Sequence, residues 1–99
     1  MDKITHGYLI ANYTIRDPQK YQEYVQAAVP LLGQYGGKML VGDLNPKNLE
    51  GNPRQFIIVV EFESVDAAQR FYTSSEYTKT KHLRVSSTEG WVVIAKAFV

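Results

Sequence analysis

A chain of 99 residues, 44% hydrophobic and 21% charged, has room for one hydrophobic core and reads as a single soluble domain over 1–99. Its net charge of +1 gives no general pull toward nucleic acid or an anionic membrane, and the lack of cysteine excludes disulfides, thiolate metal sites and a cysteine nucleophile. The first residues, MDKITHG, carry no apolar leader run and no stretch is long enough to span a membrane, so a cytoplasmic location is expected.

Tyr8 to Ile15 is short and β-rich, and predicts the first strand. Asp17-Pro18 then starts a helix, Asp as the cap and Pro at the first helical position. Tyr21, Tyr24, Val25, Ala28 and Leu32 fall on one face of that helix. Pro30 is expected to kink or restart it, because proline cannot donate to the Gln26 carbonyl. Gly36-Gly37 supplies a left-handed stop. Lys38 to Val41 predicts a second strand, and Asp43 to Arg54, with its Pro, Asn and Gly, a loop.

Phe56 to Phe62 is the most apolar run in the chain and rich in β-branched residues, which predicts a central strand buried on both faces. Ser64 caps the helix that follows, and Val65, Ala68, Phe71 and Tyr72 recur at helical spacing. Residues 74–77 read as a break leading to a short helical turn near Lys79 to His82. Trp91 to Val99 predicts the last strand.

The order βαββαβ predicts an α+β, ferredoxin-like domain: a four-stranded antiparallel sheet in the order 4-1-3-2 with both helices on one face. Along the third strand Phe56, Ile58, Val60 and Phe62 point one way, and Ile57, Val59 and Glu61 the other. Two helices cover one face alone, so the second apolar face needs another cover, and a second copy of the chain is expected to supply it.

Several stretches together resemble the family called domain of unknown function 1330, within the dimeric α/β-barrel superfamily. They are YLIANYTIRDPQKYQEY at 8–24, YGGKML at 35–40, LEG at 49–51, the run from Arg54 to Tyr77, and RVSSTEGWVVIA at 84–95. The resemblance implies a ferredoxin-like protomer whose open sheet face pairs with a partner's to form a barrel. It implies no reaction of its own; more distant relatives include cofactor-independent monooxygenases acting on aromatic substrates, haem binders and simple dimers.

Glu61, on a strand expected to be central, needs a partner. It is either an acid, base or acceptor at a site, or half of an ion pair with Arg16, Arg84 or His82, or it emerges at the exposed strand end. Asn12 in mid-strand also calls for a partner, across the sheet or in a cavity, where it could orient a carbonyl. Arg54 could hold an anionic group or be solvated. Tyr13 lines the central strands, and Tyr21, Tyr24, Tyr72 and Tyr77 stand where helices meet sheet, as core or as a partly aromatic cavity wall.

A site, if present, is expected between helices and sheet, at the mouth of strands one and three and the second helix. His82 is its natural base, with Tyr72 or Glu61 completing a proton relay. Asn12, Arg54 and Arg84 would be further polar lining, and Phe62, Phe71 and Trp91 apolar walls. His6 and His82 are too isolated for a metal, and no nucleotide-binding glycine motif or nucleophile elbow occurs, so neither metal nor cofactor is expected. RNA recognition domains share the βαββαβ order, but their third-strand aromatics are here replaced by Ile58 and Glu61, which excludes base stacking. What survives is a homodimer binding a small aromatic or carboxylate-bearing molecule, with or without a monooxygenase-like or proton-transfer reaction on it, or a non-catalytic dimerisation module.

Overall fold

A computed structural model describes residues 5–98. Strands β1 (Gly7–Ile15), β2 (Lys38–Asp43), β3 (Phe56–Phe62) and β4 (Thr88–Lys96) form one antiparallel sheet in the order β2-β3-β1-β4. This is the expected order read from the other edge, with β3 and β1 central. Helices α1 (Pro18–Gln34), α2 (Val65–Thr73) and α3 (Ser75–Val85) complete the chain.

The caps form as the sequence suggests. The Asp17 carboxylate accepts from the Lys20 amide at 3.1 Å, and the Ser64 hydroxyl from the Ala67 amide at 3.0 Å. Gly36 ends α1 at φ 79°, where a side chain would strain the backbone.

Three expectations need correction. Pro30 does not restart α1, which runs as one helix to Gln34. Pro30 and Gln26 are both exposed, so water can satisfy the carbonyl that proline leaves without a donor. The turn near Lys79 to His82 is a full helix, α3, capped by the Ser74 hydroxyl. Its inward positions, Tyr77, Thr80 and Arg84, are polar or amphipathic, so no apolar stripe announces it. Finally, β4 starts at Thr88 rather than Trp91 and ends at Lys96; Val99 lies outside the described residues. Glycine is a poor strand former, yet Gly90 sits in register with Tyr13, so close that an added Cβ would collide with the Asn12 carbonyl and the Tyr13 backbone.

The alternation along the strands decides what each face does. Leu9, Ala11 and Tyr13 of β1 and Ile58, Val60 and Phe62 of β3 are buried beneath the helices. On the other face, register sets Ile10 between Val59 and Val93, and Asn12 between Ile57 and Trp91. Among the described residues no helix covers this second face, and Trp91 and Val93 remain 47% and 46% exposed. α1 leans on α3 rather than on the strands, and the space it leaves above the sheet becomes a cavity.

Candidate functional site

The cavity between α1 and the sheet has a volume of about 430 Å³. Its floor is made by residues of all four strands, among them Val92 of β4, Tyr13 of β1, Ile58 of β3 and Met39 of β2. Its roof is the apolar face of α1, where Tyr21, Tyr24, Val25, Ala28 and Leu32 recur because helical spacing turns them toward the sheet. The wall is overwhelmingly aliphatic and aromatic. Arg84 is the one charged side chain among the described residues that line it.

Arg84 is held from several sides. It is 8% exposed, its Nε donates to the Tyr77 hydroxyl at 3.3 Å and one Nη to the Tyr72 hydroxyl at 3.2 Å. The guanidinium carbon lies 6.0 Å from the centre of the Tyr13 ring, a cation–π contact. The residue's own carbonyl accepts from the Thr88 hydroxyl at 2.7 Å, which ties this end of α3 to the start of β4. Burial pulls the Arg84 pKa down, but Tyr77, through charge and hydrogen bond, and then Tyr24 and Tyr72 carry it above its usual value. The side chain is therefore a buried cation. Among the described residues no carboxylate meets it; both ion pairs, Arg16–Glu89 and Arg54–Glu89, lie on the surface.

Two pairs of tyrosine hydroxyls complete this end of the cavity. Tyr13 and Tyr21 meet at 2.6 Å, and Tyr24 and Tyr77 at 2.8 Å. Burial is the largest reason that Tyr13, Tyr21 and Tyr24 hold their protons more tightly than an ordinary phenol. At neutral pH these three are uncharged hydroxyls that can donate.

The residues expected to share a site do not converge. Phe71 and Arg84 line the cavity. Tyr72 stands behind Arg84 with the Lys81 ammonium 4.7 Å from its ring centre, and His82 is exposed on the outer side of α3. Glu61 lies on the opposite sheet face and accepts from the Tyr8 hydroxyl at 3.1 Å, rather than from Arg16, Arg84 or His82. Strand alternation separates it from the helix side, so the relay of His82, Glu61 and Tyr72 is not assembled.

The remaining candidates are similarly dispersed. Asn12 is buried, but its amide donates to the Arg54 and Phe56 carbonyls at 3.2 and 2.9 Å and accepts from the Arg54 amide at 2.9 Å. It pins the end of the 44–55 loop and has no donor left for a ligand. The Arg54 side chain pairs with Glu89 at 3.0 Å on the surface. Trp91 belongs to the uncovered face, and Phe62 packs on Phe71 with ring centres 5.6 Å apart without reaching the cavity.

Met39 and Leu44, at the cavity's outer end, were missed as lining residues. Both looked like ordinary strand and loop residues, and only the sheet order brings them opposite α1. Among the described residues no three His, Asp or Glu side chains gather to hold a metal.

The profile of the family described as domain of unknown function (DUF1330) matches residues 6–98. The fold is similar to that of RPA0582, a protein of unknown function from Rhodopseudomonas palustris, with TM-score 0.80 and 15% identity over 99% of this chain and 86% of that one. It is also similar to SnoaB, a cofactor-independent oxygenase from Streptomyces nogalater, with TM-score 0.66 and 9% identity over 98% and 96% of the two chains. A dimeric protein of unknown function with a ferredoxin-like fold from Bacteroides fragilis gives TM-score 0.54 and 10% identity, covering 94% and 96%. No curated protein matches the chain. At these identities the likeness is one of fold.

Proposed function

The chain belongs to the DUF1330 family, and on that premise we propose that it is a homodimer whose protomers each bind a small aromatic or carboxylate-bearing molecule between α1 and the sheet. The observation that carries the reading is the cavity itself. Its volume of about 430 Å³ falls in the range of small-molecule sites, and its wall is apolar with a few polar groups gathered at one end. The homodimer is supported by the apolar face with Ile10, Val59, Trp91 and Val93 that the helices leave uncovered. A cytoplasmic location is part of the proposal; among the described residues no helix is long and apolar enough to cross a membrane.

A reaction on the bound molecule is the second reading, either proton transfer or an oxygenation of the kind SnoaB's description names. It is favoured by Arg84 and the neutral tyrosine hydroxyls, which would stabilise negative charge developing on a ligand oxygen. The third possibility, a dimerisation module without a ligand, is an outcome of the test.

That test is thermal unfolding against a panel of aryl and alkyl carboxylates and their neutral analogues. A ligand at a hundred times its dissociation constant adds about 2.7 kcal/mol, roughly 10–20 °C for a domain of this size. Stabilisation that disappears in Ala28→Trp, whose indole would fill the cavity, supports the reading. No stabilisation by any panel member in the wild-type protein leaves the dimerisation module.

A further inference from the structure

The Arg84 end of the cavity is overstocked with donors. The guanidinium has five N–H groups, and two protein acceptors meet it, the Tyr77 and Tyr72 hydroxyls. Each tyrosine pair contains two O–H protons and makes one bond between its members, so one proton per pair has no acceptor among the described residues. A buried cation surrounded by surplus donors lacks an anion, and an ionised acid would supply both the charge and the lone pairs.

The rest of the cavity specifies the other end of the ligand. Arg84 is tied to the start of β4 and lies over Tyr13 of β1. The apolar lining continues across β3 to Met39 of β2 and Leu44 just beyond it, which with Val29 are 48%, 56% and 52% exposed and form the open mouth. From Tyr13 on β1, under the guanidinium, to β2 is two strand spacings of about 4.8 Å, and Met39 lies level with Leu9, four residues of about 3.4 Å further along the strands, so the path from Arg84 to the mouth measures roughly 10 to 17 Å, a range that brackets extended decanoate.

Resting on the cavity as the binding site, we infer that its ligand is an elongated monocarboxylic acid, bound head inward. Its carboxylate is held by Arg84 and the free hydroxyl protons, and its apolar tail runs over Ile58 and Val60 to Met39 and Leu44. Chain length is then a specificity feature, because each methylene that reaches an apolar contact adds roughly fourfold in affinity.

Isothermal titration of the intact protein at pH 7.5 with decanoate, decan-1-ol and hexanoate tests both halves. Decanoate should bind at least tenfold more tightly than either of the others. Arg84→Met should bring decanoate to the level of decan-1-ol. In Leu44→Gln, at the exposed mouth where folding is not at stake, decanoate should weaken severalfold while hexanoate does not change. Equal binding of decanoate and decan-1-ol by the wild-type protein would overturn the acid assignment and leave the cavity as a site for neutral molecules. A decanoate affinity no better than hexanoate, or untouched by Leu44→Gln, would overturn the tail assignment. Binding of none of the three, together with no stabilisation by the aryl and alkyl panel, would remove the cavity reading as well.

Discussion

Asn12, a buried amide in mid-strand, is satisfied by the backbone of Arg54 and Phe56 and so ties β1 to the start of β3. Glu61 was legible as the odd carboxylate on an apolar strand, and alternation set it opposite Phe56, Ile58, Val60 and Phe62, but not which of the two faces the helices would cover. That it meets Tyr8 was not legible, because cross-strand pairs depend on register. The tyrosine pairs could be counted but not matched, for each joins residues on different elements. They carry a prediction. Folding raises the pKa of Tyr13, Tyr21 and Tyr24 above the ordinary 10.0, so their protonation favours the folded state fully below pH 10. Above it the unfolded chain ionises first, and that contribution is lost as pH rises. Absorbance of the phenolate should therefore show some tyrosines titrating near pH 10 and a later group appearing only together with loss of the helical circular dichroism signal. A single smooth titration of all seven, with the fold intact, would contradict the packing.

At the scale of elements, what periodicity could report was read well and what polar residues concealed was not. β3 and the starts of α1 and α2 are where composition and caps place them. α3 was shortened because its inward face is Tyr77, Thr80 and Arg84, residues also common on surfaces. Thr88, Glu89 and Gly90 lie before the apolar run that marks β4 in the sequence, yet they belong to the strand, and Gly90 lets it pass against Tyr13. Gly90→Ala should therefore destabilise the domain by about 2 kcal/mol or more, since the intruding methyl meets the Asn12 carbonyl and the Cα and Cβ of Tyr13, none of which is the free end of a side chain. Denaturant unfolding with an unchanged slope and a lowered midpoint is the expected result. A neutral effect would mean that β4 can move away from Tyr13 freely.

The whole molecule has two apolar demands, and its helices answer one. Beneath them lies the core with its cavity; behind the sheet lies a face on which Ile10, Val59, Trp91 and Val93 have no helix over them among the described residues. Two-sided alternation made that imbalance visible in the sequence, but a cavity is a difference between packed volumes and leaves no periodic mark. Val59→Asp places a carboxylate on the uncovered face, away from the helix-side core. Light scattering should find the wild-type protein at twice the protomer mass and this variant at the protomer mass, with its circular dichroism retained. A wild-type protein that is a stable monomer at micromolar concentration would contradict the assembly.

The account stands most directly on where a ligand goes. An amide, methyl and arginine-side-chain NMR titration of the wild-type protein with decanoate would show this residue by residue. We predict that the Arg84 Nε–H resonance shifts downfield and that contacts from the ligand tail reach the methyls of Val25, Ile58 and Met39. Saturable shifts confined to Trp91, Val93 and Val59, with Arg84 and the cavity methyls unmoved, would place the ligand on the open sheet face and contradict the account.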